Sequence, residues 1–207
     1  MSDLALAAFA AETGGHVVVE PKELRFERFK RSFDPERFRA SLTANGFGFV
    51  GRSEPRFPRL VRELHDPPPG LFLRGSAKVG LLSEPAVAIV GARSCSSYGG
   101  QVARMLGREL AAAGLVVVSG LARGIDGEAH RGALEAGGAT VGVLGCGIDR
   151  DYPAVHTQLA RGICDNGLVV SEYGPGVEPA PWRFPARKGK GVATMWEAAF
   201  LHCCLCR

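Results

Sequence analysis

Val87-Ala-Ile-Val-Gly-Ala-Arg93 opens the stretch that decides the fold, residues 87–147, in which a strand, a glycine-rich loop and a helix follow one another and the order then repeats. The three predicted strands are short apolar runs at 87–90, 115–118 and 140–144. They show no polar alternation, which is typical of parallel strands covered on both faces. Repeated units of strand, loop and helix imply right-handed crossovers, and hence an α/β fold with a doubly wound, mostly parallel sheet.

Each predicted strand ends in a glycine-containing loop, at 91–93, 119–124 and 145–147. On a wound sheet, ligands bind beyond the carboxyl ends of the strands, where all three loops fall. Glycine lets consecutive backbone N–H groups converge on an anion at the start of a helix. Three such loops can hold a row of phosphates, so a polyphosphate or a nucleic-acid backbone is as natural a ligand as a dinucleotide. The candidate contacts are Gly91, Ala92, Arg93, Ser119, Gly120, Leu121, Ala122, Arg123, Gly124, Gly145 and Gly147.

Arginines and one tyrosine in these loops extend the candidate site. Arg93, Arg123 and Arg150 each follow a predicted strand, so the winding brings them to one edge of the sheet. Arginine matches the geometry of a phosphate with two donors, and Tyr152 can stack on a base. The alternative interpretation is that these arginines are surface residues whose charges face solvent and bind no ligand. This alternative applies to Arg150 more than to Arg93.

Other ligand classes lack their motifs. No G-x-G-x-x-G opens the first helix, and Ser119 stands where a dinucleotide fold needs an acidic residue. No Gly-Lys-Ser/Thr loop is present for ATP, and Ser119 does not occupy a hydrolase elbow. Its hydroxyl is expected to contact a phosphate or to cap the turn. No cofactor and no catalytic residue are therefore predicted.

Asp126 and His130 lie one turn apart on a predicted helix and share a face. Two such ligands can begin a metal site, but the sequence offers no third ligand nearby. We therefore expect no metal, and interpret the pair as structural, with an internal hydrogen bond that ties the helix start to a neighbouring loop.

Charge and hydropathy limit the partners. The net charge is +4, yet residues 81–180 carry 7 Lys/Arg against 10 Asp/Glu, so an anion above the sheet must depend on backbone amides and a few arginines. No stretch approaches the ~20 apolar residues of a membrane span, and residues 1–10 lack a basic leader segment. The expected location is cytoplasmic, with no membrane contact.

Three segments are predicted in chain order: an N-terminal extension (1–33), a wound domain (34–185) and an atypical tail (186–207). In the extension, Phe26, Phe29 and Phe33 share the face of a basic helix that is expected to dock on the domain. Asp34-Pro35 is predicted to begin a helix, and edge strands are predicted at 47–50 and 71–73 on either side of a helix over 57–64. A later helix should carry Val102, Leu106 and Leu110 on one face, and the last predicted strand is at 168–171.

Motifs across residues 57–185 together resemble the DprA/Smf family of DNA-processing proteins. They include Phe57-Pro-Arg-Leu60, Asp66-Pro-Pro68, Leu71-Phe-Leu-Arg-Gly75, Ala88-Ile-Val-Gly-Ala-Arg93, Val118-Ser-Gly-Leu-Ala-Arg-Gly-Ile-Asp126, Gly145-Cys-Gly-Ile-Asp149, Tyr152-Pro153 and Phe184-Pro185. By this resemblance, Gly91, Ala92 and Arg93 match the family's Gly-Ser-Arg turn, and Ser119, Gly120 and Gly124 match its second glycine loop.

The resemblance implies an extended Rossmann-like fold that binds single-stranded DNA without enzymatic turnover. Family members protect incoming DNA during natural transformation and load a RecA-type recombinase onto it, acting as homodimers. The resemblance therefore predicts single-stranded DNA, a recombinase and a second copy of the chain as partners, and loop residues that line the phosphate pocket.

The resemblance ends after Phe184-Pro185. The family continues with x-Arg-Asn-Arg and further strands, whereas Ala186-Arg-Lys-Gly-Lys-Gly191 and a tail without β-runs follow here. The sequence thus predicts a truncated or frame-shifted domain, incomplete at its carboxyl end, from which most of the family's dimer and recombinase surfaces are missing. Two alternatives stay open: a Rossmann-like nucleoside monophosphate phosphoribohydrolase, whose Pro-Gly-Gly-x-Gly-Thr segment is absent, and a non-functional fragment.

Overall fold

The apolar runs of the sequence form a single six-stranded sheet in a computed structural model that describes residues 3–13, 24–181 and 183. The predicted tail at 186–207 lies outside the described residues. The strands are β1 (Phe47–Gly51), β2 (Gly70–Arg74), β3 (Ala86–Ala88), β4 (Val116–Ser119), β5 (Thr140–Val143) and β6 (Leu168–Ser171). The helices are α1 (Asp3–Glu12), α2 (Leu24–Ser32), α3 (Pro35–Ala44), α4 (Arg59–Arg62), α5 (Ser97–Ala112), α6 (Ile125–Glu135) and α7 (Thr157–Asn166), with 3₁₀ turns at Val79–Ser83 and Ala154–His156.

The strand order is β1-β2-β6-β5-β4-β3. The four strands β3 to β6 are parallel neighbours in sequence order, with Val87 opposite Val117 and Val118 opposite Val141. The pairs β1–β2 and β2–β6 are antiparallel, so the segment before β3 adds an edge to the parallel sheet. The predicted α/β class, Rossmann-like mostly parallel sheet and edge strands are confirmed.

Alternate residues of the strands are buried on opposite faces of the sheet. Val118 and Val141 pack with Val61 of α4 on one face. Val117 packs with Ala129 of α6 on the other, where the crossover helices lie. Both faces are thus covered, which explains the absence of polar alternation in the strands. In the described residues, the layer opposite the crossover helices comes from the segment 57–83.

Helices α5 and α6 touch along small residues. A Cβ atom added to Gly132 would overlap the carbonyl oxygen of Arg104, and one added to Gly107 would overlap that of Ala129. The buried residues of α5 are therefore glycines and alanines. The predicted apolar face of Val102, Leu106 and Leu110 is only half-buried, and it flanks this contact instead of forming its centre.

Capping residues and prolines determine where helices α3 and α4 begin and end. Asp34 caps α3 by accepting hydrogen bonds from the amides of Glu36 and Arg37, and Pro35 occupies the first turn, as predicted. The predicted helix over 57–64 is only one turn, Arg59–Arg62. Pro58 precedes it and prolines follow at 67–69, and these residues restrict the backbone to extended conformations on both sides.

The N-terminal helices pack on the sheet domain. Asp3 Oδ2 accepts hydrogen bonds from the amide and the hydroxyl of Ser53, at 2.7 and 2.6 Å. Phe9 of α1 contacts Phe26 at 5.4 Å between ring centroids. Phe33 joins this aromatic face to Phe38 of α3, at 5.5 Å. Among residues 3–13, 24–181 and 183, no helix has the length and hydropathy needed to span a bilayer.

Candidate functional site

A cavity of about 490 Å³ opens at the carboxyl ends of β3 and β4. The first and second predicted glycine loops contribute to its wall, and the segment after the third loop adds Tyr152 and Pro153. We call it the loop cavity, and its lining residues are Arg93, Ser94, Gly120, Ala122, Arg123, Tyr152 and Pro153.

The chemistry of the loop cavity suits an anion beside a flat ring. Arg93 and Arg123 are exposed at its wall, and no carboxylate among the described residues lines it. Tyr152 is 39% exposed, which leaves part of its ring accessible. Guanidinium groups bind phosphate with paired donors, and an accessible aromatic ring can stack on a base.

The second loop supplies backbone donors. Within the described residues, the amides of Gly120, Ala122, Arg123 and Gly124 donate no hydrogen bond. This loop leads directly into α6, which begins at Ile125, so the positive end of the helix dipole adds to the attraction for an anion.

Backbone contacts hold the first loop against the second. Gly124 adopts φ +75° and ψ −129°, and a Cβ atom there would overlap the carbonyl oxygen of Ala92. The amide of Ile125 donates to that same oxygen at 3.2 Å. The buried carboxylate of Asp126 accepts from the amide of Gly91, also at 3.2 Å. Asp126 thus ties the start of α6 to the loop after β3.

His130 lies away from the loop cavity. Its ring is buried, and Nδ1 donates to Thr140 Oγ1 at 2.7 Å, because the threonine hydroxyl itself donates to the carbonyl of Val117 at 2.6 Å. Asp126 Oδ1 and His130 Nδ1 thus form hydrogen bonds with different partners, Gly91 and Thr140. Among the described residues, no group of three His, Cys, Asp or Glu side chains is placed to hold a metal ion.

Two residues of the second loop point inward. Ser119 is buried, and its hydroxyl donates to the carbonyl of Ile89 at 2.5 Å, so it joins β4 to the end of β3 rather than facing the loop cavity. Leu121 is buried with φ +55°, an uncommon conformation for a residue with a side chain. Both side chains are therefore buried under the second loop and support its backbone from the core side.

The third loop contributes less than the sequence suggests. Gly145 and Gly147 are buried, and the amide of Gly147 donates a hydrogen bond to the carbonyl oxygen of Val177 at 2.8 Å. Arg150 pairs with Glu178 at 2.6 Å, outside the lining of the loop cavity.

Tyr173 packs beneath the guanidinium group of Arg183, whose central carbon lies 5.1 Å from the centroid of the tyrosine ring. Burial raises the pKa of the Tyr173 phenol above its usual range.

His156 is a supporting residue that the sequence patterns did not indicate. Its buried ring donates from Nδ1 to the carbonyl of Leu121 at 3.0 Å, which joins the segment after the third loop to the second loop. The ring lies against α6 at Gly127, where an added Cβ would come within 2.7 Å of it. Its partner is a backbone atom 35 residues away, so no local spacing could reveal the contact.

We expect His156→Leu to lower the free energy of unfolding by about 1–3 kcal/mol, because the buried carbonyl of Leu121 loses its donor. His156→Asn, whose amide can still donate to that carbonyl, should recover part of the loss. Urea denaturation of both variants measures the difference. Equal destabilisation by leucine and asparagine would mean that packing, not the hydrogen bond, is the contribution of His156.

Comparison with known proteins identifies relatives of the chain. The family model for DNA recombination-mediator protein A matches residues 48–200. DNA processing protein DprA from Streptococcus pneumoniae is 44% identical over 131 residues, which make up 63% of this chain and 45% of that protein. The chain thus spans about half the length of the curated relatives it matches.

Solved structures give the same relationship. The X-ray structure of DNA processing protein A from Streptococcus pneumoniae superposes with a TM-score of 0.68 at 31% identity, over 94% of this chain and 70% of that one. A structure of DNA processing protein A from Helicobacter pylori, solved to explain the single-stranded DNA binding mode of that protein, has a TM-score of 0.64 at 34% identity, over 72% of this chain and 66% of that one.

Proposed function

Because the chain belongs to the family of DNA recombination-mediator protein A, we propose that it binds single-stranded DNA without sequence preference and that the loop cavity holds the strand. One observation carries this proposal: the residues that line one cavity at the carboxyl ends of β3 and β4 include two exposed arginines, a tyrosine with an accessible ring, and residues of the second loop whose amides form no hydrogen bond within the part of the chain that the structure describes.

The parts of the loop cavity have distinct roles in this proposal. The amides of Gly120 and Ala122 and the guanidinium groups of Arg93 and Arg123 take phosphate oxygens, which are common to every sequence. Tyr152 stacks on a base, and every base has a face to stack on. None of these contacts reads the edge of a base, so affinity should depend on salt and not on sequence.

The relatives support a proposal for the biological setting. We place the chain in DNA processing during natural transformation, and delivery of the bound strand to a RecA-type recombinase is the finer part of the same proposal. Homodimer formation also belongs to it. The loop cavity itself is a site for DNA, and we assign no chemical step to it.

Replacing Arg93 by alanine is expected to weaken binding to all oligonucleotides alike, by about tenfold or more, since a hydrogen bond to a charged group contributes about 1.5–3 kcal/mol. The slope of log affinity against log salt should fall by about 0.7, the contribution of one phosphate contact to a single strand. Fluorescence anisotropy with labelled oligothymidylate and a mixed sequence measures both quantities.

Arg93→Lys separates charge from geometry, because lysine keeps the charge but not the paired donors. It should retain the salt slope and lose part of the affinity. Arg108→Ala, on the exposed surface of α5, is the control for net charge. Unchanged affinity and slope in Arg93→Ala would remove Arg93 from the site, and release of free base from a nucleotide panel would favour a nucleoside monophosphate hydrolase instead.

A further inference from the structure

A second concave site lies at the other end of the sheet. It is a groove of about 490 Å³ between α3, the start of β1 and the end of β2. We call it the edge groove, and its lining residues are Arg39, Leu42, Thr43, Phe47, Gly48, Phe49, Arg56, Leu73, Lys78 and Val79. Three of these residues are cationic and none is acidic.

Most of the positive charge of the edge groove is not neutralised nearby. Arg56 pairs with Glu54 at 2.8 Å. In the part of the chain that the structure describes, Arg39 and Lys78 form no ion pair, and both are exposed. They stand on different elements, Arg39 on α3 and Lys78 on the segment after β2, and both line the groove. An anionic chain lying in the groove would therefore meet a cation from each of these two elements.

The floor of the edge groove is apolar and partly aromatic. Phe47 is half-buried, so part of its ring is accessible. Phe49 is buried and held against Phe72, with ring centroids 5.0 Å apart. Gly48 is exposed and faces the other side of β1, where Leu73 lies next to it. Cations beside an accessible ring are the combination that binds single-stranded nucleic acid.

The two sites lie at opposite corners of the sheet. β1 and β3 are the two edges of the six strands, and β1 runs parallel to β3 because two antiparallel pairings separate it from the parallel strands. The start of β1 is thus at the rim opposite the loop cavity. Five strand spacings of about 4.8 Å and a strand length of about 13 Å separate them by roughly 27 Å. A stacked strand advances about 3.4 Å per nucleotide and has to pass around the layers that cover the sheet, so it needs at least about eight nucleotides to reach both sites.

We propose that the edge groove is a second contact for the same single strand, which reaches it only when the strand is longer than about eight nucleotides. The inference rests on the proposed function of the loop cavity. An acidic extended peptide is the competing occupant, since β1 is a sheet edge. We favour the nucleic acid because the accessible ring of Phe47 lines the groove together with the cations, and an acidic peptide does not need a ring for stacking.

The test compares oligothymidylates of 6 and 24 nucleotides on the full chain. Arg39→Ala/Lys78→Ala should weaken binding of the 24-mer roughly three- to tenfold, as expected for two exposed charge pairs. It should lower the salt slope of the 24-mer by about 1.4, for two phosphate contacts. Binding of the 6-mer should not change. Arg59→Ala/Arg108→Ala, which removes the same charge from exposed helix surfaces, should leave both oligonucleotides unaffected.

Three outcomes would overturn the proposal: unchanged 24-mer binding in the groove variant, an equal loss for the 6-mer, or an equal loss in the control pair. An acidic peptide that binds the wild type but not the groove variant, while the 24-mer binds both equally, would assign the groove to a protein partner. Arg93→Ala with the 6-mer tests the loop cavity separately, so failure of the edge groove and failure of the proposed function can be told apart.

Discussion

Replacing Gly132 by alanine is expected to lower the free energy of unfolding by about 3 kcal/mol, although alanine is the better helix former by about 1 kcal/mol. The added Cβ would overlap the carbonyl oxygen of Arg104 and come within 2.9 Å of the backbone nitrogen of Arg108. These are backbone atoms of α5, so no side chain can rotate away. The two helices would have to separate, and the packing of Ala103 against Ala133 would loosen.

Thermal denaturation followed by circular dichroism measures this effect. A loss of 3 kcal/mol corresponds to a fall in Tm of about 6–12 °C for a domain of this size. Gly80→Ala is the matched control, because a Cβ atom there meets no atom within 4 Å. It should change the free energy of unfolding by less than about 0.5 kcal/mol. A Gly132→Ala protein as stable as the wild type would show that α5 and α6 are farther apart than described.

The strands could be predicted because burial on both faces leaves a simple signal. Residues 116–118 and 168–170 are continuous apolar runs in sequence, and both are fully covered in the fold. Gly91, Ser119 and Gly145 follow the three apolar runs at 87–90, 115–118 and 140–144 and mark their ends in the sequence. The order of strand, loop and helix then fixes a parallel arrangement, because a crossover of one hand is strongly preferred.

The helix contacts could not be predicted in the same way. Large apolar residues at helical spacing indicate a buried face, and Leu106 and Leu110 suggested one for α5. The centre of the contact is instead Gly107 against the backbone of α6. A glycine inside a helix signals a close approach only once its neighbour is known, and that neighbour is more than twenty residues away in sequence.

The position of the candidate site at the edge of the sheet could be predicted from the sequence, but the partners of its individual side chains could not. The topology brings Arg93 and Arg123 to one cavity, as the strand order requires. The other expected contacts depend on partners that sequence spacing does not identify. Arg150 pairs with Glu178, and the hydroxyl of Ser119 reaches Ile89. Whether the cavity residues bind DNA stays a prediction.

We expect Gly124→Ala to abolish measurable binding of single-stranded DNA at concentrations that saturate the wild type. Its φ of +75° with ψ −129° belongs to a region that residues with side chains avoid, at a cost of about 1–3 kcal/mol. The new Cβ would also overlap the carbonyl oxygen of Ala92 and lie 2.8 Å from that of Arg93. Relieving these contacts moves the first loop away from the second, and the donors of the loop cavity no longer converge.

Gly114→Ala separates this effect from backbone strain in general. Gly114 has φ +84° at the end of α5, but a Cβ atom there meets nothing within 4 Å. Both variants should lose stability, by about 1 kcal/mol for Gly114→Ala and about 3 kcal/mol for Gly124→Ala. Only Gly124→Ala should lose binding when anisotropy is measured at a temperature where both variants are folded. Normal DNA affinity in folded Gly124→Ala would mean that the strand does not depend on the contact between these two loops, and the loop cavity would then not be its site.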